Sequence, residues 1–331
     1  MTEILYSFRD ICLMPNFSHY KSRKDADTSA ILGKFNLKSP IISAPMDSVS
    51  GEKMMIALWK SGAIGCLHRF WTIEENVEEY KNVRKKEADC IVSVGASENE
   101  KKRFEMLFEA GARAFCLDVA HGHSIHIKEM LSWIKKEFWD ALNLTIIAGN
   151  VCSEEGTADL VDWGADVVRV GVGGGSVCKT SVVTGFGIPL FSTILKCSKI
   201  AHQKGKKIIA DGGIRSSGDM VKAFVAGADY CMIGNLLKGT EETPGETLVT
   251  NKGVFKKFRG MASEELMNKR QNQTFLPASE GISVNVPCEG SVEEIIKNIV
   301  KGIKSGMSYG GVFKVEEFKN KVKHVFQETA A

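Results

Sequence analysis

Cys178 is the side chain of this sequence best placed to act as a nucleophile. It closes the run Gly171-Val-Gly-Gly-Gly-Ser-Val-Cys178, whose missing side chains leave backbone N–H groups open to an anion, and a segment carrying Thr180 and Thr184 follows. A thiol is only a few per cent thiolate near neutral pH unless its surroundings lower its pKa. Most cysteines are small buried apolar residues, and eight others occur here, so the pattern alone leaves both nucleophile and core residue open. The glycine run is no dinucleotide fingerprint, because its spacing differs and no acidic residue follows at about twenty positions. Asp211, followed by Gly212-Gly213, reads as a carboxylate for ribose hydroxyls beside a phosphate loop rather than a plain turn residue. His121 and His123 remain open between loop and site. Glu280, in Pro277-Ala-Ser-Glu280-Gly281, reads on its own as a solvated glutamate.

These groups need a scaffold, and the hydrophobic pattern supplies one. Short apolar runs rich in β-branched residues occupy 40–44, 63–67, 90–94, 114–119, 144–148, 166–172, 207–210 and 228–233, with helical patterns between them. The clearest helix is 72–84, where Thr72 and Glu75 form a capping box and Ile73, Val77, Tyr80 and Val83 share a face. Alternating strand and helix means parallel strands. Gly62, Gly111, Gly164 and Gly227 each precede Ala at the entry to a strand, which marks left-handed helix ends. Eight such units favour a closed (β/α)8 TIM barrel, α/β in class, over an open sheet with two edges.

In a barrel, chemistry belongs where strands end. The strands run into Ala44-Pro-Met-Asp47-Ser48, His68-Arg69, Asp118-Val-Ala-His121, Gly149-Asn150, the Cys178 loop, Asp211-Gly-Gly213 and Gly234-Asn235. Loops after the seventh and eighth strands are the usual phosphate site, so the ligand is expected to carry phosphate. Two stretches exceed the barrel minimum: 1–38 before the first strand and 236–290 after the eighth. The second is long, polar and without clear periodicity, as in Lys269-Arg-Gln-Asn-Gln-Thr274, and reads as a mobile flap or as a disordered spacer.

The bulk composition agrees with one globular unit over 1–331. The chain of 331 residues is 44% hydrophobic and 25% charged, with net charge +3, and its basic runs are short solvated helix ends, not a nucleic-acid stripe. No run approaches ~18 apolar residues and no signal segment opens the chain, so no membrane partner and a cytoplasmic location are expected. Nine cysteines without a C-x-x-C pair point to reduced thiols.

Together, Asp10-Ile-Cys-Leu-Met-Pro15, Ser43-Ala-Pro-Met-Asp47, Asp118-Val-Ala-His-Gly122, Ala148-Gly-Asn150, Gly175-Ser-Val-Cys178-Lys-Thr180, Asp211-Gly-Gly-Ile-Arg215, Thr240-Glu-Glu-Thr-Pro-Gly245 and Ser308-Tyr-Gly-Gly311 resemble the signatures of the IMP dehydrogenase and GMP reductase group over nearly the whole chain. The resemblance implies a (β/α)8 barrel, a homotetramer, and a thioimidate between the loop cysteine and purine C2. The flap is similar to that of the reductase branch. Arg270 is followed by Gln271 and not by the tyrosine of the dehydrogenase Arg-Tyr pair, and Ala278-Ser-Glu280-Gly281 is similar to the segment whose glutamate helps ammonia leave. Thr184-Gly-Phe-Gly187 is reductase-like too. Val83 leads directly to Cys90, so the paired regulatory modules of many dehydrogenases are not inserted there.

By this resemblance the chain would convert GMP to IMP and ammonia with NADPH, Cys178 being the nucleophile and Thr180 with Glu280 carrying protons. A neutral amine is a poor leaving group, so such an acid is chemically required. The phosphate falls to Ser176, Gly213, Gly234 and Asn235, the ribose to Asp211 and the base to Met261 with Glu280, while Gly212, Gly260, Ala262, Ser279 and Gly281 would also meet the substrate. NADPH would meet Ser22, Arg23, Arg69, Asp118, Val119, Ala120, Val172 and Gly173. The carbonyls of Gly173, Gly175 and Cys178 match those that hold potassium. The chain departs from the group's pattern at Gly174 (usually proline), Asn235 (usually glycine or serine) and Pro277 (arginine in some reductases). Segments 239–245 and 305–309 are closer to the dehydrogenase branch, so a compact IMP dehydrogenase making XMP with NAD is the alternative. A non-catalytic nucleotide sensor is the other class.

Overall fold

Each apolar run forms a parallel strand and each amphipathic segment a helix laid over it, because only that pairing buries both. The computed structural model describes residues 3–263 and 278–327. Strand β1 (Ile11–Leu13) precedes a hairpin of β2 (Ala30–Leu32) and β3 (Phe35–Leu37). The repeating units are then β4 (Ile41–Ser43), α1 (Glu52–Lys60), β5 (Gly65–Leu67), α2 (Ile73–Lys85), β6 (Cys90–Val94), α3 (Glu98–Glu109), β7 (Ala114–Asp118), α4 (Ile125–Glu137), β8 (Thr145–Val151), α5 (Glu154–Trp163) and β9 (Val167–Val170). After β9 come a short α6 (Thr180–Thr184), α7 (Leu190–Gln203), β10 (Lys207–Asp211), α8 (Ser217–Val225) and β11 (Tyr230–Ile233). Seven strand neighbours pair in parallel, and the ring closes where the Ser43 N–H donates to Ile64 and the Ile64 N–H to Ile41, both at 3.1 Å. Closure leaves no barrel edge.

All eight expected strands are present, within a few residues of their expected limits, and α2 carries the expected capping box: Thr72 Oγ1 accepts from the Glu75 N–H at 3.2 Å and the Glu75 carboxylate accepts from the Thr72 N–H at 2.9 Å. The four repeated glycines take φ of 78°, 102°, 123° and 103°, the positive-φ turn that stops each helix a few residues before the next strand. Four residues separate α2 from β6. Inside the ring, Ile42, Ile64, Ile91, Ile147 and Ile209 form one apolar cluster, and Leu32, Phe35 and Leu37 of the hairpin plug its lower mouth. A larger cluster lies between the strands and the helices.

The stretch after β11 is more regular than its composition suggests. Strands β12 (Leu248–Thr250), β13 (Gly253–Arg259) and β14 (Ser283–Pro287) form an antiparallel sheet, so the described part of the stretch read as a flap or a disordered spacer is not a disordered spacer. Residues 264–277, including Arg270, Gln271 and Pro277, lie outside the described residues. Helix α9 (Val292–Gly310), N-capped by Ser291, completes the eighth unit, and α10 (Phe318–Lys321) and β15 (His324–Phe326), paired with β1, end the described chain.

Lys256 explains why β13 was hard to read. Its ammonium points inward, 6% exposed, and donates to the carbonyls of Thr240, Glu241 and Thr243 at 2.8, 2.9 and 2.9 Å. It ties the sheet to the turn after β11. Replacing it with methionine leaves three acceptors without their donor and is expected to cost about 2–4 kcal/mol, on the scale of breaking buried charge-assisted bonds. A lower urea midpoint at unchanged slope would show it; an unchanged midpoint would refute the role.

Candidate active site

The strand ends open onto a cavity of ≈ 390 Å³ that is lined by most of the expected residues. Cys178 sits on the wall formed by the loop after β9. Its N–H donates to Gly175 at 3.1 Å, which turns the thiol toward the start of α6. The thiol donates to Thr180 Oγ1 at 3.1 Å, and the Thr180 hydroxyl donates to Glu280 Oε2 at 2.7 Å. Glu280 arrives from the flap. The segment that carries it is stitched down on both sides: the Lys179 N–H donates to the Glu280 carbonyl at 2.6 Å, the Glu280 N–H to Ala262 at 3.0 Å, and the Ile282 N–H to Val177 at 3.1 Å. Thiol, hydroxyl and carboxylate therefore form one chain along which a proton can move in either direction.

Beside the thiol, the loops after β9, β10 and β11 meet through backbone. The Gly213 N–H donates to Gly174 at 2.8 Å, and a Cβ on Gly171, at φ 141°, would stand 2.0 Å from the Asp211 carbonyl. Only glycine permits that approach. Ser176 Oγ donates to Asn235 Oδ1 at 3.0 Å, and Lys238 Nζ reaches the same oxygen at 2.9 Å. Asn235, one of the departures from the family pattern, thus gathers a hydroxyl and an ammonium at the expected phosphate cradle. Gly212, Gly234, Gly260, Met261 and Ala262 complete this half of the cavity wall. Ser279 and Gly281 flank Glu280 without lining the cavity: the Ser279 hydroxyl caps the Ala262 carbonyl at 3.3 Å, and Gly281 bridges Cys178 and Ser263.

Asp211, at the end of β10, accepts from Asn150 Nδ2 at 2.7 Å and from Arg169 Nε at 2.9 Å, both on Oδ2. The second half of the cavity is lined by Arg69, Asp118, Val119, Ala120, Val172 and Gly173. Arg69 Nε donates to the Asp118 carbonyl at 3.2 Å. Ser22 and Arg23 do not line it; they lie in a short turn packed against α9. Neither does His121, and His123 is engaged with Asp159 at 2.8 Å. Arg169, Asn150 and Lys238 were given no role from sequence. Arg169 carried a signal, a lone cation within Val167-Val-Arg-Val170.

His68, just beyond β5, is buried against Trp71, ring centroids 3.6 Å apart, and its Nδ1 accepts from the Phe70 N–H at 3.1 Å. Burial first, then the cations of Arg103 and Arg259, pull its pKa down to about 3. The unfolded chain binds this proton near the ordinary value and the folded chain does not, so the contribution to stability is whole above ~6.5 and is lost as pH falls from there toward 3. Wild-type stability should therefore drop on acidification by up to ~1.4 kcal/mol per pH unit from this residue. His68→Gln should flatten the dependence between about pH 6.5 and 4, read from urea midpoints. Parallel curves for the two proteins would contradict this.

Among the described residues, no group of three or more His, Cys, Asp or Glu side chains is placed to hold a metal ion, all nine cysteines are free, and no helix is long and apolar enough to cross a membrane. Residues 5–331 match a family model described as the IMP dehydrogenase / GMP reductase domain. Similar proteins bear both names. An inosine-5'-monophosphate dehydrogenase of Cryptosporidium parvum is 34% identical, covering 96% of this chain and 91% of its own. GMP reductase 2 of Bos taurus is 35% identical over 98% and 94%. An inosine-5'-monophosphate dehydrogenase of Aquifex aeolicus is 38% identical over 91% of this chain and 65% of its own.

Proposed function

The chain belongs to the IMP dehydrogenase / GMP reductase family, and on that premise we propose that it reduces GMP to IMP and ammonia with NADPH, as a single catalytic barrel, cytoplasmic and homotetrameric. The observation that carries the choice is the Cys178–Thr180–Glu280 chain, which can take a proton from the thiol and return it to a departing amine. Thiolate attack on C2 of GMP makes the new C–S bond. The C2 amine then leaves as ammonia with the proton that Glu280 passes back through Thr180, and a thioimidate remains on Cys178. NADPH, when bound, supplies the hydride to C2. Cys178 then departs as thiolate and regains a proton through Thr180 from Glu280, which takes it up from solvent. Ser176, Asn235 and the glycines after β10 and β11 hold the phosphate, Asp211 the ribose, and the Met261 segment the base.

The cofactor fits the second half of the cavity on one observation in particular. Asn150 Oδ1 is buried without a donor among the described residues, while its Nδ2 serves Gly171 and Asp211 at 2.7 Å each. A carboxamide N–H2 is the donor this acceptor lacks, and an orphaned buried acceptor is costly until it finds one. Arg69, Asp118, Val119, Ala120, Val172 and Gly173 would hold the rest of that ring and its ribose. Ser22 and Arg23, which do not line this cavity, would meet the cofactor of a neighbouring copy in the proposed tetramer. A potassium ion would sit on the carbonyls of Gly173, Gly175 and Cys178, which lie along the one loop after β9.

The second reading, IMP oxidation to XMP with NAD, draws on the two dehydrogenase relatives, one of which this chain matches over nearly its full length. Following absorbance of the reduced cofactor separates them. GMP with NADPH should lose it; turnover seen only with IMP and NAD would sink the proposal.

A further inference from the structure

Arg169 is the buried cation on which both halves of the cavity lean. Its side chain, 9% exposed, sends NH1 to Asp118 Oδ1 at 2.6 Å and Nε to Asp211 Oδ2 at 2.9 Å. A third contact, NH1 to Cys116 Sγ at 3.6 Å, anchors it from the barrel interior. Burial alone would weaken the cation, but Asp211 and then Asp118 hold it firmly protonated. The fold makes room for this: a Cβ on Gly149 would stand 2.4 Å from the Arg169 carbonyl and 2.7 Å from its Cβ. The register of β8 against β9 also slips between Gly149 and Val151, which turns the Asn150 side chain into the same cluster.

A guanidinium is planar, so its nitrogens move together. Asp118 and Asp211 are therefore not independent: rotating Arg169 to follow one carboxylate displaces its bond to the other. Each aspartate has its remaining oxygen without a donor from the described residues, and both line the cavity. We propose that Arg169 is a positioning residue that couples the two ligands: ribose hydroxyls that fix Asp211 set the guanidinium, and the guanidinium presents Asp118 to the dinucleotide. This rests on the reading of Asp211 as the nucleotide's carboxylate and Asp118 as the cofactor's. A purely structural ion pair would stabilise the barrel without linking two affinities.

The test is the affinity of the full chain for NADPH, followed by its fluorescence, with and without saturating IMP. No hydride can pass in that pair, since IMP already carries hydrogen at C2. In the wild type IMP should tighten NADPH about tenfold, within the usual range of coupling between sites. Arg169→Lys keeps the charge but offers one ammonium that cannot span both carboxylates, and the factor should fall to within twofold of unity. The rate of Cys178 alkylation should not change. Asp118→Asn provides the second arm should the lysine variant fold poorly. It should lower the factor equally, and the double variant should lower it no further. A wild-type factor of one, or a factor retained in either variant, overturns the proposal. Failure to turn over GMP would overturn the assigned reaction instead, since the affinity ratio is read without turnover.

Discussion

Replacing Cys178 with alanine is expected to reduce turnover of GMP by at least about 10⁴-fold while leaving GMP bound with affinity within a few-fold of wild type. The split follows from where the side chain stands. In the proposed binding mode phosphate and ribose would be held by the loops after β9, β10 and β11, chiefly by backbone, Asn235 and Asp211, none of which depends on the thiol for its position. The Cys178 N–H to Gly175 bond, which shapes the loop, is kept by alanine. What alanine removes is the atom that makes the bond to C2. Steady-state rates and a calorimetric titration with GMP measure the two halves separately. A variant that still turns over within about tenfold of wild type would sink covalent catalysis at this position. A wild type that binds GMP and never turns over with either cofactor pair would instead make this a nucleotide sensor.

The barrel was legible because each unit repeats two short-range signals, the period of its apolar residues and the glycine that stops its helix. Both are local. The flap sheet was not, since β13 places a lysine at an inward position and its strands expose most other residues, which hides the alternation. The site divides the same way. Cys178 and Thr180 are two residues apart and visible together, but Glu280 lies 100 residues further on and joined them only through the resemblance. Arg169 shows the limit most clearly: its partners are 51 and 42 residues away on β7 and β10, so the value of a cation in an apolar strand appears only when three strand ends converge.

Glu280→Gln should lower kcat by about 10²–10⁴-fold, the usual worth of a positioned acid or base. Glutamine still accepts the Thr180 hydroxyl, so geometry is preserved and proton capacity alone is lost. The thiol then has no base to receive its proton through Thr180, and the amine has no proton to leave with. KM for GMP should change much less, because the residues proposed to hold phosphate and ribose lie on other loops. Thr180→Val breaks the same path at its middle and should cost a comparable factor. Groups that act as one unit are not additive, so the double variant should be no slower than the slower single one. Losses that multiply would mean two independent roles and would refute the relay.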